Sequence, residues 1–136
     1  KLKYITIMLK EDAPKIYGLH RINMKKPIIV VEGPIDSMFL NNAIAMGGAD
    51  VARFSPVGGM IYCYDNEPRS QEIVKRIEKK IDEGNSVVIF PNGIKEKDIN
   101  DMILGGKSRK EIQAIISNNT FKGLSAKAKL SEWRKI

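Results

Sequence analysis

An α/β fold of the Rossmann-like kind, a mostly parallel sheet of about four strands flanked by helices with a basic helix at the C-terminus, is what this sequence predicts. Three observations predict it. Short apolar runs recur at Ile28–Val31, Met60–Tyr64 and Ser86–Phe90, and unbroken runs of that kind suit strands covered on both faces. Segments with helical spacing of apolar residues follow the first two runs, and strands alternating with helices favour parallel pairing through right-handed crossovers. Acidic residues follow each run, at Glu32, at Asp65 and Glu67, and at Asp98 and Asp101.

Taken in order, Lys3–Leu9 alternates loosely between polar and apolar residues and predicts an edge strand or hairpin arm. Glu11–Lys26, with Pro14 and Gly18, predicts a connection carrying a short strand near Ile16–Leu19. Ile28–Val31 is the central strand. It ends in Glu32, Gly33 and Pro34, and a proline is well placed in the first turn of a helix, where its missing N–H costs nothing. The spacing of Ile35, Met38, Phe39, Ala43 and Met46 extends that helix over Pro34–Met46, to a stop at Gly47-Gly48. Ala49–Phe54 predicts a second short strand, and Ser55 to Gly59 a turn-rich loop. Met60–Tyr64 runs into Asp65-Asn66-Glu67-Pro68, again acids before a proline.

Gln71–Glu83 places Ile73, Val74, Ile77 and Ile81 on one helical face and closes at Gly84. After Ser86–Phe90 come Pro91-Asn92-Gly93 and the polar run Lys95–Asp101. Ser108 with Glu111 forms a capping box for a helix bearing Ile112, Ile115 and Ile116. Thr120–Ile136 predicts a last helix with Leu124, Ala128 and Leu130 inward and Trp133 partly buried, its cations Lys122, Lys127, Lys129, Arg134 and Lys135 outward. The expected organisation is a connection over 1–26 that ends a preceding subdomain, a core over 27–106 and a helical extension over 107–136.

The chain has 136 residues, 43% hydrophobic and 29% charged, enough for one globular domain. No apolar run reaches membrane-spanning length and the first residues lack a signal peptide's apolar segment, so a cytoplasmic setting without membrane contact is expected. With one cysteine, Cys63, and one histidine, His20, neither an internal disulfide nor a Cys/His zinc site is expected. The chain opens on Lys1 inside a strand-like pattern, as a piece of a longer protein would. Charge is uneven: residues 1–31 carry +5, residues 32–104 carry −4 and residues 105–136 carry +6. An acidic middle between basic flanks suits a metal site that handles polyanions, though solvated lysine faces give similar numbers.

In a parallel sheet the three acid-bearing segments fall on one edge, where ligands and catalytic groups gather in open α/β sheets. Carboxylates converging there repel one another unless a cation neutralises them. All-oxygen ligation selects hard ions, Mg²⁺ or Mn²⁺, which keep waters and bind substrate phosphates. Phosphoryl or nucleotidyl transfer, or phosphodiester hydrolysis, is the chemistry such a site supports.

These same stretches carry a resemblance. VVEGPIDSMFL, YDNEP and KEKDINDMIL, in this order, resemble the TOPRIM domain shared by primases, topoisomerases and some nucleases, and most closely that of tailed-phage DNA primases. The resemblance covers essentially the whole chain. It implies Mg²⁺-dependent synthesis of short RNA primers on a single-stranded DNA template from ribonucleoside triphosphates, beside a replicative helicase, in the cytoplasm of a phage-infected host. Glu32 matches the family's first acid, a metal ligand or an acid/base. Asp65 matches the first member of its metal-binding acid pair. Glu67 takes the second place, where the family has Asp, and its longer arm suits a water-bridged contact. Asp98 matches the third-motif acid, with Lys97 beside it a phosphate contact.

Other residues are open to two readings. Asp36 braces the first motif or is a first-turn acid favoured by the helix dipole, the preferred reading. Asn100 and Asp101 support the site or the local structure. Arg53 and Arg69 border the acidic loops as triphosphate or template contacts or as plain surface residues, and Lys122, Lys127 and Lys129 track a nucleic-acid backbone or form a solvated or docking face. The family's primases carry a zinc module and a further polymerase subdomain that the segment before Glu32 is too short to hold. A TOPRIM nuclease and a non-catalytic nucleic-acid-binding or partner-docking module are the rivals. A topoisomerase would need a nucleophilic tyrosine on other large domains, and a dinucleotide enzyme would need a glycine-rich fingerprint after the first strand, where none occurs.

Overall fold

The computed structural model describes residues 16–46 and 56–136. The strand patterns at Lys3–Leu9 and Ala49–Phe54, and Arg53, lie outside the described residues. Strands β1 (Ile16–Tyr17), β2 (Ile28–Val31), β3 (Ala43–Met46), β4 (Met60–Tyr62), β5 (Ser86–Val88) and β6 (Thr120–Phe121) form one sheet in the order β1-β3-β2-β4-β5-β6. The four central strands are parallel. The two-residue strands β1 and β6 extend the sheet antiparallel at its edges. The helices are α1 (Pro34–Met38), α2 (Gln71–Asp82), α3 (Ile99–Leu104), α4 (Arg109–Asn118) and α5 (Gly123–Trp133).

The unbroken apolar run of β2 has the expected cause. Ile28 and Val30 join one core with Ile73, Val74, Ile77 and Ile81 of α2 and Ala126, Leu130 and Trp133 of α5. Ile29 and Val31 join the other, with Ile99 and Met102 of α3 and Ile112 and Ile116 of α4. Successive side chains of a strand point to opposite faces, so a strand between two helical layers has no place for a polar residue. The α2 helix starts where Ser70 accepts a hydrogen bond from Ile73 N–H, and α4 starts on the expected capping box of Ser108 and Glu111.

Three expectations are corrected. The helix predicted over Pro34–Met46 ends at Met38, and Ala43–Met46 is strand β3. Asn42 makes the turn between them with φ 53°, a conformation Asn tolerates better than most residues. Its side-chain amide donates to Pro27 O at 2.8 Å and its Oδ1 accepts from Asn23 N–H at 2.6 Å. Ala43, Ile44 and Ala45 are all buried, with Ile44 in one core and the alanines in the other. That two-faced burial is what a strand provides and an amphipathic helix does not.

The last helix begins at Gly123, after strand β6, rather than at Thr120. Its buried face is Ala126, Leu130 and Trp133, whereas Leu124 is 84% exposed and Ala128 is exposed. The i, i+4, i+7 series from Ala126 outcompetes the series read from Leu124, because small Ala126 lets α5 approach the sheet closely. Finally, the polar run Lys95–Asp101 leads into α3, which spacing alone had not marked as a helix.

Candidate metal centre

Parallel strands β2, β4 and β5 are neighbours in the sheet, so their carboxyl ends open on one edge. Glu32 follows β2 directly, Asp65 lies three residues past the end of β4, and Asp98 caps α3 on the way out of β5. Asp36 reaches the same place from α1. One carboxylate oxygen from each of Asp36, Asp65 and Asp98 comes within 4.8 Å of the others. A cation the size of Mg²⁺ or Ca²⁺, with oxygen ligands at about 2.0–2.6 Å, fits between oxygens so spaced. The three residues could hold a divalent cation, and among the described residues none of them is part of an ion pair.

Local structure fixes two of the three. Asp36, 7% exposed, accepts the Asn100 N–H at 2.8 Å on Oδ1, which ties α1 to the start of α3. A Cβ on Gly33 would sit 3.3 Å from Asp36 Oδ2, so glycine leaves this carboxylate its room. Asp98 is the N-cap of α3 and accepts the Asp101 N–H at 2.8 Å on Oδ1. Each thus keeps a second oxygen for a ligand.

The electrostatics are those of acids without a counterion. Desolvation, with the charges of Glu32, Asp98, Asp36 and Glu67, pushes Asp65 up to about 7. Desolvation also dominates at Asp36, where the Asn100 N–H opposes it and Asp98, Asp101 and Glu32 reinforce it, raising it to about 6. A site that raises its own carboxylates in this way is one a cation would relieve. Glu32 is set differently. Its Oε2 lies 2.9 Å from Arg76 Nη1, whose other terminal nitrogen is 2.6 Å from Glu72. Burial raises the Glu32 pKa and Arg76 opposes the rise.

Of the residues singled out in the sequence, Asp65 and Asp98 meet in the cluster. Glu32 flanks it on Arg76. Glu67 is half-buried in the same loop, its N–H on Asp65 O at 2.8 Å. Lys97 and Arg69 are exposed beside these loops. Lys122, Lys127 and Lys129 lie elsewhere, on β6–α5: Lys127 pairs with Asp82 at 3.5 Å, and Lys129 lies 3.9 Å from Glu132 and 5.5 Å from the Phe121 ring centre. Asp101 is exposed, and Asn100 enters through its backbone N–H. Sequence reasoning gave Asp36 a helix-dipole role. It does sit in the first turn, but its place in the cluster escaped notice because α1 is only five residues long and its direction is set by packing. The signal available was its position within EGPID, one turn beyond Glu32.

Comparison with known proteins adds a homologue. The chain is 39% identical over 140 residues to the DNA primase of Enterobacteria phage T4, across 98% of this chain. It resembles a phage DNA primase. The similarity read from the EGPID, YDNEP and KDIND stretches is thereby borne out, and the chain spans 40% of that relative's length. A solved structure is also similar: a chain from bacteriophage T7 lagging-strand DNA polymerase interacting with primase domains of two gp4 subunits bound to an RNA/DNA hybrid and dTTP. It aligns with a TM-score of 0.56 and 23% identity over 81% of this chain and 62% of that one, a likeness of fold. No family model matches.

Proposed function

We propose that this chain is the metal-binding catalytic portion of a phage-type DNA primase, acting in synthesis of short RNA primers on single-stranded DNA. The observation that carries the reading is the convergence of Asp36, Asp65 and Asp98 within 4.8 Å at the carboxyl edge of the parallel strands. The similarity to the T4 primase supports its assignment to nucleotidyl transfer. Ribonucleoside triphosphates, a template strand, the growing primer and a replicative helicase are the partners this role requires, in the cytoplasm of the infected host.

The donor set fits Mg²⁺ or Mn²⁺: three acids that offer oxygen atoms only, the ligands of ions that keep waters and bind phosphate oxygens. A bound divalent ion would supply neutralisation of the triphosphate and of the charge developing at the leaving group. Asp65 and Asp98, with Asp36, would hold it, and Glu67 reaches the same loop for a water-bridged contact. Glu32, its pKa raised, is suited to accept a proton from an attacking hydroxyl or to complete the ligand set. Lys97 and Arg69, exposed in the loops that carry Asp98 and Asp65, would meet incoming phosphates.

The test is a Mn²⁺ titration followed by paramagnetic broadening of backbone amides, on the parent chain and on Asp65→Asn. Saturable broadening around Asp36, Asp65 and Asp98 that weakens in the variant is expected. Diffuse broadening indifferent to the substitution would overturn the reading and leave a nucleic-acid-binding or docking module.

A further inference from the structure

Between the two acids of the YDNEP loop stands Asn66, and its polar groups reach two other parts of the chain. Its N–H donates to Lys97 O at 2.6 Å. Its side-chain amide donates to Ile94 O and to Glu96 O, each at 3.0 Å. Its Oδ1 accepts from Trp133 Nε1 at 3.0 Å. The first three bonds clamp the loop after β4, which carries Asp65, onto the loop after β5, which leads directly into Asp98. The fourth anchors the clamp to the last turn of α5. A second tie follows two residues on, where Lys135 N–H donates to Pro68 O at 2.9 Å.

We infer that Asn66, fixed by the Trp133 indole, is the positioning residue that sets the gap between Asp65 and Asp98, and that α5 braces the metal centre. The inference rests on the metal-binding reading above and deepens it. Neither Asn66 nor Trp133 ligates anything: both act through the backbone of the loops they join. Asn suits the position because an amide offers one acceptor and two donors, and here Oδ1 serves the indole while Nδ2 serves two carbonyls. Asp could not donate to those carbonyls, and Ala would leave the Trp133 N–H, at a residue 6% exposed, without its acceptor. Groups that orient metal ligands without touching the ion commonly govern affinity by about 10- to 100-fold.

The experiment measures Mn²⁺ affinity by electron paramagnetic resonance on the 136-residue chain, with amide hydrogen exchange in the metal-free state alongside. Five proteins are compared: the parent, Asp65→Asn, Asn66→Ala, Trp133→Phe and the double variant Asn66→Ala/Trp133→Phe, where Trp133→Phe keeps an aromatic ring in the core and removes the N–H donor together with part of the indole's bulk. Expected are loss of binding in Asp65→Asn and roughly 10-fold or greater weakening in Asn66→Ala and Trp133→Phe. Amides of β2 should stay protected while the amide of residue 66, which donates to Lys97 O, exchanges faster. The double variant Asn66→Ala/Trp133→Phe should be little weaker than Asn66→Ala, since both changes cut one network. Parent-like affinity in Trp133→Phe and in folded Asn66→Ala would overturn the positioning role and leave the metal centre standing. Parent binding that survives Asp65→Asn unchanged would overturn the metal centre and the positioning role together. If Asn66→Ala fails to fold, Trp133→Phe alone decides.

Discussion

The acids at the carboxyl edge of the sheet and those on the outer helical layer are handled in opposite ways. On α2, Glu78 meets Arg134 at 3.0 Å and Asp82 meets Lys127 at 3.5 Å, both pairs partly or well exposed. At the edge, Asp36, Asp65 and Asp98 face one another, and burial pushes the first two to about 6 and about 7. The outer layer needs its charges for little beyond solvation, since surface ion pairs contribute about 0–1 kcal/mol. The edge gives up stability to keep its charges together. Unrelieved electrostatic conflict is a better pointer to function than the number of charges.

The comparison can be sharpened first where packing should dominate. Ile77, 2% exposed in the core between α2 and the sheet, should cost about 3 kcal/mol when cut to Ala, read by urea unfolding. A loss below about 1 kcal/mol would mean that the outer layer is held by something other than apolar contact. At the edge, Asp65→Asn should stabilise the metal-free chain at pH 8 by about 1 kcal/mol, a figure discounted for the residue's partial exposure. Destabilisation by the same change would show that the carboxylate already has a compensating partner.

The pH dependence follows with its sign. A carboxyl whose folded-state pKa lies above its unfolded value of 3.8 favours the protonated fold. The contribution from Asp36 and Asp65 is therefore complete below about 4 and is lost as pH rises through about 6 and about 7. Thermal melts in a chelator should fall between pH 5 and pH 8. Millimolar Mg²⁺ should reverse the fall, and Asp65→Asn should flatten it. A metal-free melting temperature that climbs across that range would break the account. Smallest of all, Lys127→Met should change stability by about 0.5 kcal/mol or less, and a larger loss would place its pair with Asp82 on the same footing as the edge.

Much of the fold was legible because its signals are local. The apolar strands around Val30, Ile61 and Val87, the amphipathic face of α2 and the Ser108 capping box each depend on residues within a few positions of one another. The misreadings sit where a local pattern was ambiguous. Ala43 and Met46 have helical spacing from Ile35, yet the helix ends at Met38, Asn42 turns the chain at positive φ, and β2 offers the residues that follow a parallel partner. Leu124 is the larger apolar residue, yet Ala126 is the one that fits against the sheet.

The sequence by itself determined that three acid-bearing segments follow strands, because β-branched runs, prolines and glycines declare their own conformations. That parallel order then put Glu32, Asp65 and Asp98 on one edge. Tertiary structure decided what distance in sequence conceals. It brought Asp36 to Asp65 and Asp98 through the Asn100 N–H, turned Glu32 toward Arg76, and laid Trp133 against Asn66 across 67 positions of chain. Hydrogen bonds and ion pairs of that range depend on how helices of fixed length settle on a twisted sheet, and no stretch of residues encodes that alone.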